Sequence, residues 1–272
     1  MAQLLKKPVQ HPLNDAVQII QDFKPEDVNL KYTGIKILDI QTSGIYEETT
    51  QGFEICIVAL TGKIDVSDGE SIYKDLGTRD SVFEKMPTDS IYISKDHHIQ
   101  ISAVKDARVI ICYAPCDEGR PTELIPARSN GVEDRGKYAN QRHVHNILPD
   151  THTASEKLLV VEVYTDQGNW SSYPPHKHDE DNLPDESFLE EIYYHEMNPE
   201  KGFVFQRVYT DDLSLDETMT AQNGDVVIVP KGYHPVAVPD GYNGYYLNIM
   251  AGPKKVWKFN NQKDHEWIID RK

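Results

Sequence analysis

The sequence is poor in cysteine, in positive charge, in long apolar runs and in helix signals. Its 272 residues hold three cysteines, Cys56, Cys112 and Cys116. An odd number without zinc-ribbon spacing fits a reducing cytoplasm better than a disulfide framework. Lys and Arg total 28 against 44 Asp and Glu, a net charge of −16. No nucleic-acid or membrane partner is expected of so acidic a chain, because phosphate backbones and anionic lipid need clustered cations. A small anionic substrate remains open, since one or two arginines inside a pocket override a distant negative surface. No apolar run approaches the roughly 20 residues of a membrane helix. Residues 1–14 lack the apolar stretch of a secretory signal, so a cytoplasmic location is expected. There is no Gly-rich dinucleotide fingerprint, and no organic cofactor is expected. Only residues 14–23, with Asn14 as N-cap, and a stretch near the C-terminus read as short helices.

What the chain does have is strand pattern. β-Branched and aromatic runs fall at residues 35–40, 53–60, 90–93, 99–104 and 108–114, then at 158–164, 192–194, 203–209, 225–229 and 244–250. Many short strands between turn residues predict an all-β fold. An internal repeat divides it in two. Glu54-Ile55-Cys56-Ile57-Val58 resembles Glu191-Ile192-Tyr193-Tyr194-His195, and residues 89–98 line up with residues 225–234. Glu54 to His98 is 44 positions and Glu191 to His234 is 43. Two β-domains are expected, residues 1–145 and 146–272, with residues 116–146 as a long connection.

The run Pro174-Pro175-His176-Lys177-His178 carries the chemistry. Alternate side chains of a strand share a face, so His176 and His178 project together, as two imidazole ligands must. Glu191 opens a later strand, and His234 follows the Gly232 turn. Three imidazoles and a carboxylate hold one divalent ion with one or two positions open, and zinc, manganese, nickel or iron all suit them. Glu190 competes with Glu191 but would face the other way. Asp179, Glu180 and Asp181 are fallback ligands. The N-terminal half keeps Glu54 and His98 without a His-X-His before them. It is expected to be a metal-free copy, with His97 and His98 in core or interface positions.

This pattern resembles the cupins, and its duplication a bicupin, which implies two tandem jelly-roll β-barrels. One departure is that cupins place a short spacer between the His pair and the Glu, whereas residues 179–190 intervene here. The wording is more specific still. Gly168-Asn169-Trp170-Ser171-Ser172-Tyr173-Pro174-Pro175-His176-Lys177-His178-Asp179 resembles the 5-deoxy-glucuronate isomerase family of myo-inositol catabolism. So do Leu189-Glu190-Glu191-Ile192-Tyr193-Tyr194, Phe205-Gln206-Arg207-Val208-Tyr209, Gly232-Tyr233-His234-Pro235 and Tyr245-Tyr246-Leu247-Asn248-Ile249-Met250-Ala251-Gly252. Arg142-His143-Val144-His145-Asn146-Ile147 has the same look. The resemblance implies conversion of 5-deoxy-D-glucuronate to 5-dehydro-2-deoxy-D-gluconate. A 4-deoxy-5-keto-uronate isomerase and a cupin dioxygenase are the rival readings.

Aldose–ketose interconversion moves a proton between adjacent carbons through an enediolate, which a metal stabilises and a base serves. If Glu191 faces inward, so do Tyr193 and His195. His195 is then a candidate base, or a group orienting a ligand, with Tyr193 as its hydrogen-bond partner. Asn248 is a candidate for a substrate hydroxyl. The substrate carboxylate asks for a guanidinium. Arg207, expected inward on its strand, is the first candidate, Arg142 and Arg128 are alternatives, and Lys231 is expected at the rim. Lys177 is expected outside. Seven acidic residues and no Lys or Arg fall within residues 179–191, read as a surface loop whose last residue turns inward. A sugar acid is the expected partner. A homo-oligomer is one way to cover the barrel edges.

Overall fold

A computed structural model describes residues 4–272. After β1 (Leu5–Lys6), a first barrel is formed by β2 (Val17–Phe23), β3 (Gly34–Ile40), β4 (Phe53–Ser67), β5 (Ser90–Ile93) and β6 (His98–Pro115). The connection carries β7 (Glu123–Ile125), β8 (Gly131–Arg135) and β9 (Arg142–Leu148). The second barrel contains β10 (Leu159–Thr165), β11 (His176–Lys177), β12 (Glu190–Asn198), β13 (Phe203–Tyr209), β14 (Val226–Val229), β15 (Asn243–Ala251) and β16 (Asn260–Asn261). A short helix, α1 (Trp267–Asp270), follows. No helix among the described residues is long and apolar enough to cross a membrane.

Two sequence expectations change here. Residues 14–23 are not a helix. Val17, Ile19 and Ile20 favour the extended chain, and the Asn14 side chain accepts from the amides of Ala16 and Val17, both at 2.9 Å, making a turn instead of a helix cap. The runs 99–104 and 108–114 are one strand. Lys105 and Asp106 are absorbed by bulges against β4, where the register shifts around Thr61 and Lys63. Such bulges bend the 15-residue β4 and the 18-residue β6, so that each serves both faces of its barrel.

The expected boundary at 145/146 falls inside β9. β8 and β9 extend the second barrel's sheet beyond β10, so the connection joins that barrel from Gly131 onward. The barrels also exchange strands. β1, which precedes the first barrel, pairs with β14 of the second (Leu5 opposite Val227). β7, which follows the first barrel, pairs back onto β5 (Leu124 opposite Ile91). The edges of β5 and β14 are thus covered within one chain.

Strand pairing also corrects the repeat. Ile55 lies opposite Ile93 and Tyr113, as Glu191 lies opposite Val229 and Met250. Ile55 therefore matches Glu191, and Glu54 matches Glu190. The separation is then 43 positions in both halves, from Ile55 to His98 and from Glu191 to His234.

The barrels pack through the outer faces of their large sheets. Cys56, Val58, Ile110 and Cys112 meet Ile192, Tyr194, Leu247 and Ile249 in one continuous core. Each such fully buried aliphatic side chain contributes about 1.5–3 kcal/mol. All three cysteines are buried free thiols. A fully buried ion pair joins Arg79 to Glu162, with Tyr164 accepting from Arg79 and Tyr245 donating to Glu162. The interior of the first barrel is a separate core, lined by Ile55, Ile57, Ala59, Val109 and Ile111.

Candidate metal centre and active site

β11 and β12 bring the ligand candidates together. The nitrogens of His176, His178 and His234 lie within 4.8 Å of one another. Glu191 Oε2 stands 3.1 Å from Nε2 of both His178 and His234. All four side chains are buried or nearly so.

The hydrogen bonds behind the rings fix what the rings present. His178 Nδ1 lies 3.0 Å from the Leu189 carbonyl and His234 Nδ1 lies 2.8 Å from the Gly232 carbonyl. A carbonyl only accepts, so both Nδ1 atoms carry the proton and both Nε2 atoms face inward as lone pairs. Two lone pairs and a carboxylate oxygen at 3.1 Å call for a cation between them. His234 Nε2 is buried without a hydrogen-bond partner. Burial would raise the Glu191 carboxyl, but His234 and His178 hold it well below the usual carboxylate range. Burial, with His234 and His178 close by, pushes His176 well below an ordinary imidazole. One imidazole pushed far below its ordinary pKa, two rings that turn Nε2 inward and an ionised carboxylate make up the kind of donor set that a divalent metal requires. Asn248 donates to the other oxygen of Glu191 and so orients it.

Glu190 and Glu191 part as strand alternation demands. Glu190 leaves the barrel and accepts from the amides of Lys31, at 2.8 Å, and Tyr32, at 2.7 Å. The intervening segment is not a plain acidic loop. Lys177 does alternate away from the histidines, yet it is only 7 % exposed. Its ammonium is caged by Asp179 at 2.7 Å, Glu180 at 2.9 Å and Glu186 at 3.2 Å. These carboxylates are occupied by Lys177, not offered as fallback ligands. Asp181 pairs with Lys254 at 3.2 Å. Asp179 also accepts from the Gly232 amide at 2.8 Å, which ties the His176–His178 segment to the His234 turn.

Above the ligands is a narrow chamber of about 40 Å³, lined by Arg142, Ser172, Glu191, Tyr193, Tyr246 and Asn248, with Trp257 and Phe259 at its wall. Arg142, His176 and Phe259 also line a vestibule of about 380 Å³ with Lys137, Tyr173 and Asn261. β16 pairs with β11, and the Phe259 ring lies 4.5 Å from that of His176, so the C-terminal segment straps the mouth. A wider groove of about 540 Å³ lies elsewhere, beside Asp15, Asp39, Asp80 and Asp106. Its charge repels an anion.

Arg142 is half-buried, and its guanidinium donates to the Asn140 carbonyl at 3.1 Å without an acidic partner in contact. Burial and the nearby Arg135 charge lower its pKa. Arg207 is not inward. On β13 the inward positions are Val204, Gln206 and Val208, and alternation turns Arg207 out to a two-pronged pair with Asp216 at 2.7 and 2.9 Å. Lys231 and Arg128 are exposed and line neither the chamber nor the vestibule. Tyr193 and His195 face inward as expected, but His195 lies one layer deeper. Its Nε2 donates to Gln206 Oε1 at 2.9 Å, its Nδ1 has no partner, and burial pushes its pKa down to about 4. Trp257, Phe259 and Arg135 were missed by sequence reasoning. The alternation Trp257-Lys258-Phe259 puts both rings on one face, which was the available signal.

A family model described as the KduI/IolB family matches residues 4–268. The chain belongs to the KduI/IolB family. Among related members, it is 58% identical over 271 residues to the 5-deoxy-glucuronate isomerase of Bacillus licheniformis, covering 100% of both chains. It is 56% identical over 272 residues to that of Listeria monocytogenes, again covering 100% of both. The crystal structure of an IolB-like protein from Salmonella typhimurium LT2 superposes with a TM-score of 0.93 at 43% identity, over 98% of this chain and 99% of that one. Lactobacillus farciminis oxalate decarboxylase matches in fold alone, with a TM-score of 0.68 at 10% identity, over 97% of this chain and 90% of that one. The two-barrel cupin architecture of this KduI/IolB member is thus shared well beyond its family.

Proposed function

We propose that this chain is a metal-dependent isomerase that converts 5-deoxy-D-glucuronate to 5-dehydro-2-deoxy-D-gluconate. The observation that carries the reading is the joint presence, in one chamber, of a three-histidine, one-carboxylate set and an arginine without an acidic partner. Family membership supplies the substrate class.

His176, His178, Glu191 and His234 hold one divalent ion, whose element is left open by the donor set. Bound there, the ion supplies Lewis acidity to the carbonyl and neighbouring hydroxyl of the sugar. Arg142 holds the substrate carboxylate between chamber and vestibule, because the other arginine lining the chamber, Arg135, is already paired with Glu133. Burial raises the phenols of Tyr193 and Tyr246, so both stay protonated and donate to substrate oxygens as charge develops. His195 stands behind Tyr193, with ring centroids 5.9 Å apart, and provides the buried acceptor for the proton shuttle. Asn248 keeps Glu191 in place and presents its amide to the chamber. Trp257 and Phe259 exclude water.

The test is aldose-to-ketose conversion of 5-deoxy-D-glucuronate under anaerobic conditions, before and after chelation. Conversion that is lost with the metal and restored on its return is expected. Absence of conversion, conversion untouched by chelator, or a preference for 4-deoxy-5-keto-uronate would each overturn it.

A further inference from the structure

The first barrel reaches the metal centre through Glu190, and it does so by a device that the molecule contains twice. Glu54 and Glu190 occupy matching positions on β4 and β12, opposite Ala114 and Ala251. Each turns away from its own barrel and is received by backbone amides of the other. Glu54 accepts from the amides of Glu156, Lys157 and Leu158, each at 2.7 Å, and also from the Tyr92 hydroxyl of its own barrel at 2.9 Å. Glu190 accepts from Lys31 and Tyr32 at 2.8 and 2.7 Å. The receiving segments also match, because residues 31–33 run into β3 and residues 156–158 run into β10. Gly34 and Leu159, the first residues of those strands, lie opposite Tyr113 and Met250, which match each other. A carboxylate that collects several amide donors is held strongly and directionally.

The two latches differ in what stands beside them. Glu54 is flanked by Phe53 and Ile55, which have no polar role. Glu190 is flanked on both sides by the metal centre. The Leu189 carbonyl fixes the His178 ring, and its amide donates to the His178 carbonyl at 2.8 Å. Glu191 is the carboxylate ligand itself. Residues 189, 190 and 191 therefore orient one ligand, anchor to the other barrel, and supply another ligand, in succession. A shift of the strand start at Glu190 displaces both flanking functions together.

We infer that Glu190 is a positioning residue through which the first barrel sets the geometry, and hence the affinity, of the metal centre in the second. Glu54 is the same latch without that duty. The inference rests on the metalloenzyme reading above, and its test separates the two. Metal affinity is measured by chelator competition, and thermal stability by unfolding, for the unaltered chain, Glu190→Gln and Glu54→Gln. The glutamines keep the shape and lose the charge. Both variants should lower Tm, Glu54→Gln at least as much as Glu190→Gln, because Glu54 collects more donors. Glu190→Gln should weaken metal binding by about tenfold or more, the loss typical of removing a ligand's support. Glu54→Gln should leave it within about twofold. If Glu190→Gln does not fold, Glu190→Asp, which keeps charge but loses reach, is read in the same way. Wild-type affinity in a folded Glu190 variant, or equal losses in both latches, overturns the inference. No metal binding by the unaltered chain overturns the function proposed above instead.

Discussion

The strand that begins at Phe53 turns Ile55, Ile57 and Ala59 into the first barrel, and its counterpart turns Glu191, Tyr193 and His195 into the second. Across the ladder, Ile111 and Val109 occupy the positions that Asn248 and Tyr246 hold in the other copy. One backbone plan thus carries a mostly aliphatic interior along this strand pair and a polar one in its counterpart. The first copy is stable because its interior is mostly aliphatic and its polar groups are gathered in one satisfied cluster, Lys36, Tyr46, Glu48 and Tyr113. The polar copy is tolerable because its groups satisfy each other, Asn248 with Glu191 and His195 with Gln206, and because the remaining histidines gather with Glu191 where a cation would complete them. What the two share lies on the outside, in the mutual glutamate latches and the exchanged strands, where both barrels depend on each other equally. Chemistry in this molecule is an exchange of inward side chains on a common frame.

The largest effect that can break this comparison is loss of a ligand. His234→Ala should lower kcat/KM by about 10³-fold, as several kcal/mol of charge stabilisation disappear. His98, its counterpart by position, is exposed on β6 and not in the core, and His98→Ala should stay within about twofold. Equal losses in steady-state assays would remove the division of labour. The next effect concerns stability. Ile55→Glu places a carboxylate where Glu191 stands in the other barrel, but without histidines around it. An unpaired buried charge costs about 3–5 kcal/mol, so Tm should fall sharply. An unchanged Tm would mean that the first barrel is less dry than its side chains imply. Arg142→Ala should raise KM by about 10- to 100-fold, the loss of one charged hydrogen-bonding group, while Arg207→Ala leaves KM near its original value. The reverse result would relocate carboxylate binding to the outer face of β13.

The last comparison lies at the junction of the barrels. Burial would raise the Glu162 carboxyl, but Arg79 and the hydrogen bonds of His145 and Tyr245 bring it down to about 2, from an ordinary 4.5. A carboxyl depressed by folding adds stability above its unfolded pKa and loses it as pH falls through the folded value. Thermal stability should therefore decline between about pH 4.5 and 2, and Glu162→Gln should blunt that decline. An acid profile identical in the variant would detach it from the interface.

Much of this was legible in the chain. Period-two runs gave nearly every main strand, because a half-buried sheet imposes that period wherever it forms. The convergence of His176, His178 and Glu191 was legible because side chains that meet from strands need fixed local spacing. The repeat was legible to within one residue. The slip arose because Glu54 and Glu190–Glu191 look alike as text, and only pairing with β5 and β14 distinguishes an inward glutamate from an outward one. Arg207 was misread for a similar reason, since its strand's phase is set by Gln206 meeting His195. The helix expected over residues 14–23 failed because an Asn followed by apolar residues starts a turn into a strand as readily as a helix.

By itself, the sequence determined composition, strand period and local ligand spacing, and with them the class of fold and the kind of chemistry. These are properties of neighbours along the chain. The tertiary structure alone decided which arginine faces the chamber, that Lys177 is caged by the acidic insertion, and that Trp257 and Phe259 close the site. It also decided that each barrel is latched by the other. All four depend on contacts between segments far apart in the chain, where the phase of one strand is fixed by another, and no local pattern encodes that phase.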